Sequence, residues 1–317
     1  MKKNFFKAAC MLIAASAFVF TACDRTDETM ITEPTDQGTM PETRASDWSN
    51  FRRVVYVEVN DVNPLNAGEY LLPDGTPFFT DVILFASNIR GDANGNVHNY
   101  NNPNNAAILG NPAKYIQPLR DKGIRVIMGN LGDHTGAGFS NLTTAQINTY
   151  VADLVSYENV LDGWDFDDEW AEYGTRGYPG VNSTSFSNLI IALRAKAAAG
   201  KQISVFDYSY ASYISSAAAN VVDFASYSGL NGYSANPSFP ISVSKYCPYF
   251  CDLTYPPSAT VAKARTNLAK NANAGGVTFF NLPMSPSSVI SALNGSAQAF
   301  GLTCTHTGKT YSKDYGN

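Results

Sequence analysis

The chain has 317 residues and a formal net charge of −5, and 44% of its residues are hydrophobic. A chain with this apolar content can bury a substantial core, which excludes disorder along its whole length. The acidic balance comes without a basic stripe, so nucleic acid is not an expected partner. No internal repeat at a solenoid period is visible, which excludes a repeat array.

The first 22 residues have the features of a signal peptide. Lysines near the start are followed by an apolar run at residues 8–20, which is too short to span a membrane. Small residues then lead into Cys23, and this pattern resembles that of bacterial lipoproteins, in which such a cysteine is lipidated. We expect Cys23 to anchor the protein in a membrane, since several acyl chains give stable attachment. An ordinary secretory signal is the alternative.

Residues 23–48 are expected to form a disordered tether. They are rich in Thr, Asp, Glu and Pro and contain almost no large apolar residue, so they bury too little surface to fold. Acids soon after Cys23 resemble export signals of some Gram-negative surface lipoproteins. The expected location is therefore the outer membrane, on the cell surface or the periplasmic face. Residues 49–317 form the folded domain, whose length suits one α/β barrel of about 250 residues or two smaller domains.

Predicted strands and helices alternate along the folded domain. The predicted strands are residues 53–59, 81–86, 124–128, 161–167, 203–206, 222–227, a segment within 246–254, and 277–281. The predicted helices are residues 111–122, 143–156, 184–199 and 259–274, and an asparagine-rich loop is predicted at 91–112. This alternation indicates a parallel sheet with helical crossovers. It does not by itself show that the sheet closes.

The stretch 161–174, LDGWDFDDEWAEYG, contains an unusual row of acids. Asp165, Asp167 and Glu169 alternate with other residues, so a strand would project all three to one face. Neighbouring acids on that face are about 6.6 Å apart along a strand, and like charges this close favour at least one bound proton. A catalytic role is favoured over an acidic loop, because the flanking residues suit a buried strand. Asp162 has the opposite parity, so we expect it to be structural at the base of the strand.

The spacing Asp-x-x-Asp-x-Asp-x-Glu resembles the signature of glycoside hydrolase family 18. The string DGWDFDDEWAEYG is similar to the endo-β-N-acetylglucosaminidase branch of that family, the endoglycosidase H and F type, because chitinases of the family usually carry an aromatic residue where Asp168 stands. The strings VVYVEVN, GIRVIMGNLGDHTGAGFSNL and FFNL extend the resemblance over residues 54–282. The resemblance implies a single (β/α)8 TIM-type barrel, with some helices irregular or missing, that needs no cofactor and no metal.

The resemblance also implies a mechanism. Most retaining glycosidases use a carboxylate nucleophile, whereas family 18 uses the 2-acetamido group of its substrate. Glu169 would be the general acid that protonates the departing oxygen and the base that later activates water. Asp167 would orient the acetamido group and stabilise the oxazolinium charge. Asp165 would tune Asp167 by sharing a proton with it, and both charges would keep Glu169 protonated.

Aromatic residues after the acid are candidates for sugar binding. Trp170, Tyr173 and Tyr178 follow Glu169 closely, and their rings suit stacking on sugar faces. Packing of Trp170 in the core is an equally good interpretation.

Three residues at other strand ends are also candidates. Tyr227 ends the predicted sixth strand, where many relatives place a tyrosine that touches the acetamido group, but Ser228 stands where those relatives carry Asp or Asn. Glu58 on the first strand either lines the barrel mouth or pairs with a buried arginine. Asn281 lies in the string FFNL at the end of the last strand.

The cysteines that remain after the signal predict one disulfide. In an exported protein, Cys247, Cys251 and Cys304 suggest one bond and one spare thiol, with Cys247–Cys251 as the local choice. His134 in GDHTGAG is interpreted as a loop hydrogen-bonder, because no second His or Cys lies at metal-ligand spacing.

The favoured function is that of an endo-β-N-acetylglucosaminidase. The resemblance implies cleavage of the β-1,4 bond between the two core N-acetylglucosamines of N-glycans. We expect the protein to be a monomer that Cys23 anchors in a membrane. A chitinase-type hydrolase is one alternative, and Asp168 argues against it. A non-catalytic glycan-binding barrel is the other, and the presence of Glu169 argues against it.

Overall fold

The computed structural model describes residues 47–316. The predicted signal peptide, the lipidation site Cys23 and nearly all of the predicted tether lie outside the described residues. Trp48 fell within the predicted tether, yet it belongs to the packed domain: its ring centroid lies 4.9 Å from that of Phe300 and 5.8 Å from that of Phe78. Within the described residues, no helix is both long enough and apolar enough to cross a membrane.

Parallel strands and helices alternate along the chain, as predicted. The strands are β1 (Arg52–Glu58), β2 (Tyr70–Leu71), β3 (Asp81–Gly91), β4 (Val97–Tyr100), β5 (Arg125–Leu131), β6 (Gly163–Asp167), β7 (Gln202–Asp207), β8 (Phe224–Tyr227), β9 (Tyr246–Cys247), β10 (Phe250–Asp252), β11 (Gly276–Phe280) and β12 (Thr305–His306). The helices are α1 (Pro103–Gly110), α2 (Pro112–Tyr115), α3 (Gln117–Asp121), α4 (Thr144–Val155), α5 (Ser185–Lys196), α6 (Ser216–Val221), α7 (Ala259–Asn271) and α8 (Ile290–Gln298).

The sheet is a nearly closed barrel. Parallel pairing runs in the order β1-β3-β5-β6-β7-β8-β9, and β10 pairs with β11, which returns to β1. Pro248 and Tyr249 separate β9 from β10, so these two short strands share the seventh of eight positions. The amide of Thr278 in β11 donates to the carbonyl of Tyr249 at 2.9 Å and bridges the interruption. The predicted barrel is confirmed, and the seventh strand does come from the segment 246–254.

Side chains of the strands alternate between the barrel interior and the helical layer. The apolar interior consists of Val54, Tyr56, Ile83, Ile127, Phe224, Cys247 and Phe250. Tyr56 lies at its centre, with ring centroids 5.6 Å from Phe85 and 6.2 Å from both Phe206 and Phe280. The active sites of such barrels lie at the carboxyl ends of the strands, and these three half-buried phenylalanines form an aromatic floor there.

Helix boundaries follow local signals, and the observed elements differ from the predicted ones at two places. Thr143 and Gln146 form a capping box at the start of α4. The predicted helix 111–122 is wrong in its continuity: α2 ends at Tyr115 and α3 begins at Gln117. Pro118 lies in the first turn of α3, and it has no N–H with which to continue the previous helix. The predicted loop 91–112 contains β4 and α1, and the side chain of Asn102 caps α1 by accepting from two backbone amides.

A carboxyl-terminal strap replaces the first helix of the barrel. In the described chain, β1 and β3 are connected by a 3-10 turn (Pro64–Glu69) and β2. β12 pairs antiparallel with β2, and the amide of Tyr311 donates to Asn66 Oδ1 at 2.8 Å. Lys114 Nζ lies 2.7 Å from Asp314 Oδ2, which fastens the strap to α2. The expectation of irregular or missing helices is thus confirmed at this position.

The predicted disulfide is wrong. Cys247, Cys251 and Cys304 are all free and buried. Cys247 packs inside the barrel, whereas Cys251 packs in the outer core. Their thiols therefore point to opposite faces of the seventh strand position. Strict alternation would put residues four positions apart on the same face, so the interruption at Pro248 and Tyr249 shifts the alternation between β9 and β10.

Candidate active site

The acids of β6 lie on the interior side of the barrel, at the carboxyl end of the strand. Trp164 and Phe166 pack in the outer core, so Asp165 and Asp167 face inward, as predicted. The strand ends at Asp167, where the N–H of Glu169 donates to the carbonyl of Asp167 at 2.9 Å. Glu169 therefore reaches the mouth from a tight turn, and the prediction that a continuous strand carries all three acids is corrected.

Asp165 is the deepest of the acids and is held from two neighbouring elements. Tyr56 Oη donates to its Oδ2 at 2.9 Å, and Ser204 Oγ donates to its Oδ1 at 2.6 Å. Burial raises the pKa of Asp165 to about 6, although these two hydrogen bonds oppose the rise. Each oxygen of Asp165 accepts one hydrogen bond from a hydroxyl group and keeps a further lone pair. The charge of Asp165 contributes to raising the pKa of Asp167.

Asp167 is buried and incompletely hydrogen-bonded. Its Oδ1 has no hydrogen-bond partner among residues 47–316, and only 6% of the residue is exposed. Its pKa is raised well above the usual value, first by burial and then by the negative charges of Glu169, Asp165 and Asp168. A buried oxygen without a hydrogen bond costs free energy, so this oxygen is suited to accept a hydrogen bond from a donor group of a bound ligand.

Glu169 is half-buried at the edge of the mouth. Burial raises the pKa of its carboxyl, and an interaction with the indole of Trp170 offsets part of the rise. A carboxyl with a raised pKa next to a second acid can hold a proton near neutral pH and release it to a neighbouring base. The pair Asp167 and Glu169 therefore has the properties of a proton donor beside a ligand-binding acid.

Two of the predicted sugar contacts are turned inward. The hydroxyl of Tyr173 donates to Asp168 Oδ1 and accepts from the amide of Ser140 at 3.0 Å. Tyr178 is buried, and its hydroxyl donates to the backbone carbonyls of Asp92 and Asn96. These two interpretations are therefore corrected: Tyr173 supports the loop behind the acid, and Tyr178 ties that loop to the β3–β4 hairpin.

The other predicted residues keep positions compatible with their assigned roles. Trp170 is 54% exposed, immediately after the acid. Tyr227 ends β8, and Asn281 follows β11, with its side-chain amide bound to Thr254 Oγ1 at 2.9 Å. Asp162 lies at the opposite end of the barrel, where it accepts from the amide of Val126 at 2.9 Å.

Glu58 ends β1 with the interior parity of Tyr56. No hydrogen bond or ion pair of its carboxylate with any of residues 47–316 is found, so the arginine-paired alternative is not supported. Burial, with a smaller contribution from Asp61, raises the pKa of Glu58 to about 7. The mouth therefore contains a further carboxyl that titrates close to neutrality.

The sequence interpretation missed the aromatic floor and the hydroxyl groups that hold Asp165. Phe85, Phe206 and Phe280 pack against the barrel interior, and Phe206 and Phe280 lie at the carboxyl ends of β7 and β11. The alternation of side chains along each strand is a signal that could have identified them. Ser204 carried no such signal, because only strand register places it opposite Asp165.

The comparisons with known proteins agree with this geometry. No protein-family model matches the chain. It is 36% identical over 263 residues to an endo-beta-N-acetylglucosaminidase of Flavobacterium sp. (strain SK1022), covering 78% of this chain and 82% of the relative. It is 34% identical over 245 residues to endo-beta-N-acetylglucosaminidase F1 of Elizabethkingia meningoseptica, covering 73% and 72%. The crystal structure of Bacteroides thetaiotaomicron EndoBT-3987 in complex with Man9GlcNAc2Asn substrate has a TM-score of 0.73 at 23% identity, covering 84% of this chain and 69% of that one. This chain shares its fold.

The two named relatives, together with the parallel barrel and the acids at its carboxyl end, identify the chain as a glycoside hydrolase. With two relatives above 30% identity over most of its length, the chain belongs to the endo-β-N-acetylglucosaminidases of glycoside hydrolase family 18.

Proposed function

We propose that this protein hydrolyses the β-1,4 bond between the two core N-acetylglucosamines of N-glycans. The names of its two relatives and the N-glycan bound to EndoBT-3987 support this substrate class. The observation that carries the proposal is the unsatisfied Oδ1 of Asp167 beside the protonatable Glu169. That oxygen fits the acetamido N–H of a core sugar.

In the first step, one proton is transferred and the glycosidic bond is broken. Glu169 donates its proton to the glycosidic oxygen, while the carbonyl oxygen of the substrate's acetamido group attacks the anomeric carbon. The C1–O bond breaks, and the sugar becomes an oxazolinium ion. Asp167, ionised in this step, accepts from the acetamido N–H and stabilises the positive charge.

The second step restores the enzyme. The ionised Glu169 takes a proton from water, and the water oxygen attacks the anomeric carbon as the C1–O bond of the oxazolinium opens. The acetamido group is regenerated, and two inversions at C1 give overall retention. Asp165 contributes by its fixed charge, which Tyr56 and Ser204 hold in place.

The other proposed contacts with the sugar lie at the mouth of the barrel. The half-buried phenylalanines of the floor suit the apolar face of a sugar ring or the acetamido methyl group. Trp170, Tyr227 and Asn281 contact the sugar from the carboxyl ends of β6, β8 and β11, and Glu58 accepts from a sugar hydroxyl. Each of these assignments predicts a rise in KM larger than the fall in kcat on truncation.

Anchoring and assembly form a separate part of the proposal. The lipoprotein-like sequence before Cys23 supports lipid attachment at the outer membrane, and the protein works there as a monomer. Replacing Cys23 by Ala should move the protein from the membrane fraction to the soluble fraction. Sedimentation of the detergent-solubilised protein should give the mass of one chain, and a dimer would contradict the assembly assignment.

The test of the activity uses a glycoprotein with a single defined N-glycan. The expected products are a free glycan with one reducing-end N-acetylglucosamine and a protein that retains one N-acetylglucosamine, both identified by mass. A substrate in which the acetamido group of the reacting sugar is replaced by hydroxyl should not react, and a stable oxazoline analogue should inhibit. Cleavage of chitin oligomers with none of the glycoprotein would favour the chitinase alternative. Glycan binding without turnover would favour the binding barrel.

A further inference from the structure

The backbone that follows β6 adopts conformations that L-residues avoid. Trp170 and Glu172 have φ values of 59° and 57°, in the left-handed region. Such residues cost free energy and persist only where the surroundings impose them. The segment that carries the acid must therefore be held by contacts with another part of the chain.

The loop after β5 supplies those contacts as a row of backbone hydrogen bonds. The amides of Gly132, His134 and Gly136 donate to the carbonyls of Glu169, Trp170 and Ala171 at 3.0, 2.7 and 2.9 Å, respectively. The three consecutive carbonyls from Glu169 to Ala171 thus each accept one hydrogen bond, and the donors are every second residue from Gly132 to Gly136.

Two glycines of this string are required by the close approach. A Cβ atom on Gly132 would overlap the carbonyl oxygen of Glu169 and would lie 2.6 Å from the amide nitrogen of Ala171. A Cβ on Gly138 would lie 2.5 Å from the Cβ of Ala171 and 2.5 Å from the hydroxyl of Tyr173. The glycines therefore allow the acid-bearing segment to lie directly on this loop.

Asp168 fastens the same two segments through its side chain. It lies between the two mouth-facing acids in sequence, yet it is 3% exposed and is bound by groups behind the mouth. Ser140 Oγ donates to Asp168 Oδ2 at 2.5 Å, and the hydroxyl of Tyr173 donates to Oδ1. The amide of Ser140 in turn donates to the hydroxyl of Tyr173 at 3.0 Å. Both carboxylate oxygens are occupied, so the side chain has one defined orientation.

We propose that Asp168, held by Ser140 and Tyr173, is a positioning residue that fixes the direction of the Glu169 carboxyl. It makes no contact with substrate. It anchors the peptide unit immediately before the acid, while the backbone row anchors the units after it. Because Asp168 acts through Glu169, this role rests on the proposed function.

Asp168 also acts on the acids by its charge. Its carboxylate contributes to raising the pKa of Asp167, together with burial and the charges of Glu169 and Asp165. Two tyrosines also face this cluster, Tyr56 from β1 and Tyr173 from the loop after β6. Burial, together with the charge of Asp165 for Tyr56 and of Asp168 for Tyr173, raises both of their pKa values well above the usual value. A neutral residue at position 168 should therefore lower the pKa of Asp167.

The test compares Asp168→Asn, Ser140→Ala and Tyr173→Phe with a matched control, Tyr178→Phe. The control removes a tyrosine hydroxyl from the same loop, but one that binds only backbone carbonyls of the β3–β4 hairpin. Turnover of a glycopeptide with one N-glycan is measured as separate kcat and KM values. We expect kcat to fall about 10²-fold in Asp168→Asn, the effect of misplacing a reacting group by about 1 Å, while KM changes little. The single-donor variants should lose less, and the control should match the wild type.

A second measurement does not depend on turnover. Carbon NMR titration of the carboxyl groups should give a lower pKa for Asp167 in Asp168→Asn than in the wild type. Ser140→Ala and Tyr173→Phe keep the charge of Asp168, so they should not lower it. This shift tests the charge of Asp168, whereas the separate kcat and KM values test whether it positions Glu169.

The outcomes separate the two proposals. If the wild type cleaves no N-glycan, the proposed function fails, and an unchanged Asp167 pKa would then overturn the role of Asp168 as well. If the wild type cleaves and Asp168→Asn keeps its kcat, the positioning role is overturned alone. If Asp168→Asn does not fold, unchanged kcat in both Ser140→Ala and Tyr173→Phe overturns it. An equal loss in the control and the other variants also overturns it, because general damage to the loop would explain the result.

Discussion

The two ends of the barrel both bury an aspartate, and they treat it in opposite ways. At the amino-terminal base, Asp81 is fully buried and accepts from Arg125 Nε at 2.6 Å, Arg52 Nη1 at 3.1 Å and Thr80 Oγ1 at 2.7 Å. Although burial alone would raise the pKa of Asp81, these partners hold it below its usual value. At the mouth, Asp167 has acids for neighbours and an oxygen without a partner, and its pKa is raised well above its usual value.

The difference distinguishes a carboxylate that stabilises the fold from one that the fold tolerates. Ionised Asp81 is favoured by folding, since its neighbours are cations and donors. Ionised Asp167 is disfavoured by folding, because burial and like charge penalise it. Such a penalty is typical of positions retained for chemistry. The following substitutions test this comparison.

Replacing Glu169 by Gln should have the largest effect on activity. A glutamine cannot donate the proton to the leaving oxygen, and loss of a general acid typically lowers the rate by about 10²–10⁴-fold. Glycan release is measured by mass, and folding is checked by the melting temperature. Glu172→Gln is the matched control: Glu172 lies on the same loop but is exposed and paired with His134. It should change the rate by no more than about twofold; an equal loss in both variants would contradict the assignment of Glu169.

Replacing Asp81 by Asn should have the largest effect on stability. Two guanidiniums at the base would lose their counter-charge, and the side chains of Arg52 and Arg125 keep 21% and 39% exposure. We therefore expect a loss of about 2–4 kcal/mol, toward the lower side of the range for a broken buried pair. Denaturant unfolding measures it. Unchanged stability would mean that the base network contributes nothing to the fold.

Replacing Asp167 by Asn should remove activity and increase stability. The penalty for ionising a buried acid disappears, which we expect to add about 0.5–2 kcal/mol to the free energy of unfolding at neutral pH. Asp207→Asn is the control at the neighbouring strand end, where the carboxylate accepts from Ser238 and Tyr246. That variant should be destabilised. A destabilised Asp167→Asn would show that the mouth acid contributes to the fold after all.

The pH dependence of stability should separate the two aspartates. The folded-state pKa of Asp81 is below 3.8, so its contribution is present above about pH 3.8 and is lost as the pH falls through the folded-state value. The folded-state pKa of Asp167 is above 3.8, so its penalty is absent at low pH and grows as the pH rises toward the folded-state value. The difference in melting temperature between Asp167→Asn and wild type should therefore be larger at about pH 8 than at about pH 4. This pH range spans roughly the ordinary pKa values of carboxyl groups and His.

Replacing Arg120 by Ala should have the smallest effect. Its Nη2 lies 3.0 Å from Asp162 Oδ1 at the base of β6, and both side chains remain partly exposed. Such pairs contribute less than about 1 kcal/mol. Denaturant unfolding should show a loss of that size and glycan release should be unchanged. A fall in kcat would mean that the base of β6 influences the acids at its other end.

The sequence by itself determined the alternation of strands and helices, the row of acids and its orientation. Periodicity is a local property, so Asp165 and Asp167 on one face and Trp164 and Phe166 on the other could be read from their spacing. The capping box of α4 and the resemblance to family 18 are likewise carried by short strings of residues. The break between α2 and α3 was also local, since Pro118 is visible in the sequence.

Only the tertiary structure decided which polar groups meet. Strand register brings Ser204 and Tyr56 to Asp165, and the loop after β5 brings Ser140 to Asp168; these partners are 28 to 109 residues apart in the chain. The same is true of the strap that replaces the first helix and of the cysteines on opposite faces of the seventh strand. A strand's own pattern fixes the face on which a side chain lies, but the atoms opposite it come from distant segments whose placement depends on the packing of the whole barrel.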